Sequence, residues 1–170
     1  LLERLPASRS RDERELALLV ALRGPLFATS GYAATEQPKL HSRVRQLART
    51  LGGRVDELFL VYTSWGFHCV HNDRQEALDA RREVEEIAAR IAQPGARAVA
   101  DWVSGATHFY DGQQSRALER LGPLVDSFRK DGAQTDSAQG LTAGLHFLAW
   151  LVHGWALAIS GDVTQALTSL

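Results

Sequence analysis

The residues best suited to metal chemistry in this chain are two histidines and a cysteine within four positions of one another. His68, Cys69 and His71 carry side chains that bind transition metals, and a spacing of three residues places both histidines near one face of a helix end. A closed zinc site needs four ligands, and no second cysteine or carboxylate pair occurs at a matching spacing. We therefore predict no metal site, and expect a partly buried histidine pair beside a turn.

Catalytic arrangements of other kinds are not indicated either. Residue spacing suggests no Ser/His/Asp or Cys/His arrangement, and the chain has neither a GxxxxGK[ST] phosphate loop nor a GxGxxG motif. His146 and His153 are seven residues apart on one helix face and could respond to pH if buried, but we expect a structural role. The sequence thus predicts no catalytic residue, no cofactor and no enzymatic activity.

Charge and composition narrow the classes of partner. A formal net charge of -1 over 170 residues provides no general attraction for polyanions, so we expect no direct contact with nucleic acid. Residues 140–161 are uncharged over about the length of a membrane span, but glycines and histidines dilute the run, so we expect no membrane insertion. One cysteine excludes an internal disulfide, and the N-terminus lacks the pattern of a secretory signal. These features predict a cytoplasmic protein.

Signals for helix starts and stops divide the chain into regular helical segments, and no segment shows the alternation typical of a strand. Ser10 with Glu13, and Asp73 with Glu76, have the spacing of capping boxes. The segments pair as antiparallel hairpins at about residues 10–52, 54–93, 96–131 and 138–170. We predict an all-α fold forming one domain over residues 1–170, and we interpret both ends as cuts from a longer chain.

The breaks between segments fall at small or polar residues. Gly31 is predicted to end the first helix, and Thr35 is predicted to cap the second. Gly52 and Gly53 are predicted to end that second helix. Residues 131–140 are polar and typical of a loop.

The last two hairpins share a spacing of small residues. In each, seven positions separate a first glycine from a second, and five separate the second from an alanine. The residues are Gly105, Gly112 and Ala117 in one hairpin, and Gly154, Gly161 and Ala166 in the other. The first glycine lets two helices approach closely, the second permits a left-handed turn, and the alanine avoids a clash where the helices cross.

The second hairpin fits this spacing in two ways. Anchored on Ala77, it places Asn72 at the position of the turn glycine and Trp65 at the position of the first small residue. Anchored on Gly66, it has a turn that is one residue short. Both registers remain open on sequence alone.

These residues resemble the tetratricopeptide consensus, with Trp150 and Leu157 at its apolar positions in the first helix. The alanine anchors lie 40 and 49 residues apart, longer than that family's usual period of about 34. Long repeats of this kind are similar to those in the C-terminal arms of bacterial multidomain signalling ATPases, which carry LuxR-type DNA-binding or class III adenylate cyclase domains. The segment from Glu15 to Gly52 resembles the first repeat of those arms.

The resemblance implies a right-handed superhelix of stacked hairpins. It also implies a non-catalytic scaffold for protein interaction or sensing in a bacterial signal-transduction or transcriptional regulator. The expected partner is a protein, either another domain of the parent chain or a separate molecule, with a homodimer through the repeat surface as one option.

In this register, seven mostly aromatic or branched side chains line the concave groove of the array. They are Phe59, Tyr62, Val99, Trp102, Phe109, Leu151 and Trp155. Aromatic groove residues can anchor a partner helix or an extended peptide. The alternative interpretation is that these side chains are ordinary core, covered by neighbouring helices. A second functional hypothesis is a sensor for a small ligand or peptide enclosed by Tyr62, Trp102 and Trp155.

Overall fold

The structure, a computed structural model, describes residues 6, 8–30, 37–51, 57–91, 93–131 and 145–169. Within these residues all regular secondary structure is helical, and the predicted all-α class is confirmed. The helices are α1 (Arg9–Ser30), α2 (Gln37–Leu51), α3 (Glu57–His71), α4 (Arg74–Ile91), α5 (Pro94–Tyr110), α6 (Gln114–Asp131), α7 (Leu145–Ile159) and α8 (Val163–Ser169). The predicted breaks at Gly31, Thr35, Gly52 and Gly53, and the predicted loop after Asp131, lie outside the described residues.

The chain divides into two compact units, residues 1–77 and residues 78–170, and the division falls inside α4. In the first unit, α1 packs against α2 and α2 packs against α3. In the second, α5 packs against α6 and α7, α6 packs against α7, and α7 packs against α8. Packing of the first helix of one hairpin against both its own partner and the first helix of the next hairpin is typical of helical repeats.

A two-point ion pair joins α1 and α2. The Nε of Arg43 donates to Oε1 of Glu15 at 2.6 Å, and its Nη2 donates to Oε2 at 2.7 Å. These hydrogen bonds favour the charged carboxylate, so the pKa of Glu15 lies below its ordinary value. Val44 and Leu47, three residues apart on α2, share a helix face and are buried.

The start of α1 differs from the predicted capping box. Ser8, rather than Ser10, caps the helix, because its Oγ accepts the backbone N–H of Arg11 at 3.2 Å. Ser10 lies inside the first turn, since α1 already begins at Arg9. Serine is a preferred N-cap residue, so both Ser8 and Ser10 are suitable caps. Which of them caps the helix depends on the residue at which the helix begins.

Three hairpins turn with the same backbone geometry. The turn residues Asn72, Gly112 and Gly161 have positive φ values of 59°, 74° and 91°. In each turn, the following residue donates its N–H to the carbonyl five residues earlier. These bonds are Asp73 to His68 at 2.9 Å, Gln113 to His108 at 2.8 Å, and Asp162 to Leu157 at 3.0 Å. The repeated bond closes the end of one helix and places the next residue at the start of the following helix.

The second hairpin follows the register anchored on Ala77. Asn72 takes the left-handed conformation that glycine takes in the other two turns, and Ala77 follows it by five residues. Trp65 therefore occupies the position that is glycine in the later hairpins, and it is buried with its ring stacked on Tyr62 at 6.0 Å between centroids. Gly66 is the buried residue that follows it.

Small residues stand where helices meet in the second unit. A Cβ at Gly105 would lie 2.5 Å from Cγ of Leu121, so α5 and α6 are too close there for any side chain. Gly154 on α7 is buried. Ala117 and Ala166, which follow the two turns, are buried as well. The close approach at Gly105 brings the apolar faces of α5 and α6 together.

Candidate interaction surface on helices α7 and α8

The side chains predicted to line a groove differ widely in exposure. The relative solvent-accessible surface areas of Tyr62, Val99 and Trp102 are only 7%, 1% and 3%. These residues therefore present almost no surface to a partner. Phe109 and Leu151 are half-buried. Tyr62 belongs to the first unit, whereas Val99, Trp102, Phe109 and Leu151 belong to the second. The side chain of Phe59 lies outside the described residues.

Among the predicted groove residues whose side chains the structure describes, only Trp155 is substantially exposed, and it begins a run of exposed apolar side chains. The relative solvent-accessible surface areas are 46% for Trp155, 64% for Ile159, 56% for Val163 and 72% for Leu167. Trp155 and Ile159 are four residues apart on α7, and Val163 and Leu167 are four apart on α8, so each pair shares a helix face. We call these four side chains the α7–α8 surface.

Charge is nearly absent from this hairpin. Between residues 145 and 169, Asp162 is the only acidic or basic residue other than two histidines. Its Oδ1 accepts the backbone N–H of Gln165 at 3.0 Å and so caps α8. Covering the α7–α8 surface therefore requires little desolvation of charge, and burying each of its side chains stabilises a complex by roughly 1 kcal/mol.

Aromatic rings extend the apolar area from α7 onto α5. The rings of Trp155 and Phe109 lie 6.2 Å apart and are tilted by 30°. Phe109 in turn makes an edge contact with Tyr110 at 5.7 Å, and Tyr110 is exposed. An exposed apolar area of contiguous rings is typical of an interaction site.

Comparison of the chain with protein-family models, with curated proteins and with solved structures gives no match. The assignment of this surface therefore depends on its own residues.

In the part of the chain that the structure describes, no helix is both long and apolar enough to cross a membrane. The apolar helix α7 has 15 residues, whereas a span requires about 20.

The histidine cluster has local hydrogen-bond partners. Nδ1 of His68 lies 3.3 Å from Oδ2 of Asp73, and Nδ1 of His71 donates to the carbonyl of Phe67 at 2.9 Å. Among the described residues, no group of three His, Cys, Asp or Glu side chains could hold a metal ion. His108 repeats the position of His68 and contacts Oε1 of Gln113 at 3.1 Å. In both hairpins the ring thus connects the end of one helix to the first residue after the turn.

His146 and His153 have different environments on α7. His146 makes edge contacts with Phe128 and Trp150, at 6.3 and 6.1 Å between centroids. His153 is half-buried, and burial lowers its pKa, with a further decrease from the nearby charge of Arg129. His146 thus packs against two aromatic rings, whereas His153 lies in a partly buried site near Arg129.

Sequence reasoning missed Ile159, Val163 and Leu167, because apolar residues at helical spacing ordinarily predict a packed face. A signal was present in the sequence: after Asp136 the chain has only one charged residue, Asp162. An apolar stripe that lacks charged residues around it is as compatible with an interface as with a core.

Proposed function

We propose that this chain is a non-catalytic helical-repeat segment that binds another protein through the α7–α8 surface. The observation that carries the proposal is the exposure of Trp155, Ile159, Val163 and Leu167 in a hairpin with one charged side chain. Large apolar side chains at the surface are stabilised when a partner covers them. A tryptophan within such an area is a frequent energetic anchor.

The repeated turns support a tetratricopeptide-like assignment. Asn72, Gly112 and Gly161 share a left-handed backbone, and each precedes a buried alanine by five residues. A right-handed superhelix of these hairpins is part of the proposal. So is the role of the chain as a scaffold in a cytoplasmic bacterial signalling or transcriptional regulator.

The chemistry of the surface indicates the kind of partner. Two apolar pairs at four-residue spacing on adjacent helices fit the apolar face of an amphipathic helix. The surface has no charge to select a partner of opposite charge, so shape and apolar area determine recognition. The partner is another domain of the parent chain or a separate protein.

Site-specific photo-crosslinking in the native cell tests the proposal. A photoreactive amino acid replaces Ile159 in one strain and the exposed Arg82 of α4 in a control strain. We expect a defined protein adduct from position 159 that is absent from position 82. The adduct is expected to be lost when Val163 and Leu167 are both replaced by glutamate. Because both side chains are exposed, the double variant is expected to keep the thermal unfolding temperature of the wild type. Equal adducts from positions 159 and 82 would contradict the proposal.

A further inference from the structure

A second feature of the C-terminal unit lies away from the α7–α8 surface. An open cleft of about 770 Å³ is lined by residues of α4, α5 and α6 and by the segment just before α5. The lining includes the small apolar residues Ala88 and Ala100 and the charged residues Glu85, Arg97, Asp101 and Arg120. Its volume is within the range of sites for small molecules.

Two arginines converge on one carboxylate in this cleft. Nε of Arg97 lies 3.6 Å from Oδ2 of Asp101, and Nη1 of Arg120 lies 3.6 Å from Oδ1. Both separations are longer than a hydrogen bond. The guanidinium donors of Arg97 and Arg120 thus remain available for a ligand, and Asp101 balances only one of the two charges.

More positive charge lies beside the cleft. Arg81 is paired with Glu85 at 3.4 Å and also contacts the buried Oγ of Ser104 at 3.5 Å. Burial lowers the pKa of His108, and the nearby charges of Arg81, Arg116 and Arg120 lower it further. Among the charged residues that line the cleft, Glu85 is paired with Arg81, so Asp101 is the carboxylate that Arg97 and Arg120 share. Arg97, Arg120 and Asp101 together carry an excess of one positive charge.

We propose that this cleft binds a small organic anion whose phosphate or carboxylate group lies between Arg97 and Arg120. The planar guanidinium presents paired donors that match the oxygens of either group. Ala88 and Ala100 provide an apolar wall for the rest of the molecule. The site shares no residue with the α7–α8 surface, so it gives the segment a ligand-binding function separate from protein binding.

Binding is tested by calorimetric titration of the whole chain with inorganic phosphate and, separately, with succinate. Ionic strength is held constant with chloride. The variants are Arg97→Gln and Arg120→Gln, and the control is Arg82→Gln, which removes the same charge from α4 outside the cleft. We expect saturable binding that is about ten- to hundredfold weaker in either cleft variant and unchanged in the control. The preferred titrant distinguishes a phosphate ligand from a carboxylate ligand.

His108 provides a second measurement. An anion beside Arg120 offsets the positive charges around the ring, so the NMR-monitored pKa of His108 is expected to rise on titration in the wild type and not in Arg120→Gln. Two outcomes overturn the proposal: no saturable binding of either anion, or equal weakening by Arg82→Gln. Neither outcome depends on the photo-crosslinking result, so failure of the two proposals can be distinguished.

Discussion

At the scale of single residues, Gly105 and Gly122 of the α5–α6 pair differ in the space around them. Gly105 of α5 faces Leu121, whose Cγ and Cδ2 would lie 2.5 and 2.6 Å from an added Cβ. Outside its own helix and its chain neighbours, a Cβ at Gly122 of α6 would meet only Nε2 of His153, at 3.9 Å. The same substitution is therefore expected to cost much more stability at Gly105 than at Gly122.

We predict that Gly105→Ala lowers the free energy of unfolding by about 1 to 3 kcal/mol, because Leu121 is fully buried and cannot move without disturbing the core. Gly122→Ala is the matched control. It is expected to change stability by less than about 1 kcal/mol, since alanine is favoured over glycine inside a helix while the ring of Pro123 disfavours a Cβ on the preceding residue. Urea denaturation measures both values. A Gly105→Ala protein as stable as the wild type would show that α5 and α6 are not closely packed at this point.

We also predict that stability decreases as the pH falls below about 6.5. Burial lowers the pKa of His153 and of His108 from the ordinary value of 6.5, so the folded state favours the neutral rings. Their contribution is complete above pH 6.5 and is lost as the pH falls toward the folded pKa values. On α6, Arg129 faces His153 and lowers its pKa, while Asp126 opposes that effect.

The pKa of Glu15 is lowered from 4.5, so the stability that Glu15 contributes is lost only at more acidic pH. Unfolding free energies between about pH 7.5 and about pH 5 therefore report mainly the histidines. His153→Gln is expected to have a smaller pH dependence over this interval. A pH dependence identical to that of the wild type would exclude His153 as a contributor.

At the scale of elements, helices α3, α5 and α7 end in the same way, with a turn residue of positive φ. The left-handed turn residue lets the chain reverse while the next N–H still reaches a helix carbonyl, at 2.8 to 3.0 Å in all three turns. Glycine takes this conformation without cost, and asparagine tolerates it better than other residues with a side chain. Local chemistry therefore determines where these helices end.

We predict that Asn72→Ala destabilises the protein by about 1 kcal/mol, whereas Asn72→Gly leaves its stability unchanged or higher. The φ of 59° at Asn72 is the physical reason, because a Cβ without a compensating polar group is disfavoured there. The midpoints of urea denaturation give the comparison. Equal midpoints for the alanine and glycine variants would show that the turn does not require a left-handed residue.

At the scale of the whole molecule, the chain consists of two compact units, and opening of one need not open the other to the same extent. We predict that Gly105→Ala reduces hydrogen-exchange protection mainly in peptides from residues 78–170, where its packing partner lies. Exchange measured by mass spectrometry on the wild type and the variant provides the test. A uniform loss of protection from α1 through α8 would indicate that the chain unfolds as one cooperative body.

Much of the secondary structure could be predicted from the sequence, because helices and turns depend on residues close in the chain. The helical spacing of apolar residues and the turn positions Gly112 and Gly161 are signals of this kind. The cap of α1 was predicted wrongly: the spacing of Ser10 to Glu13 favoured Ser10, whereas the helix begins at Arg9 and Ser8 caps it.

By itself, the sequence determined the all-α class, the turn glycines Gly112 and Gly161 and the absence of phosphate-loop motifs, since each is a local property. The tertiary structure decided which apolar residues form the surface: Trp102 is buried, whereas Trp155 is exposed on the next hairpin. It also brought Arg97 and Arg120 to one carboxylate from different helices. Burial and convergence depend on which helices pack together, and no spacing along the chain specifies that packing.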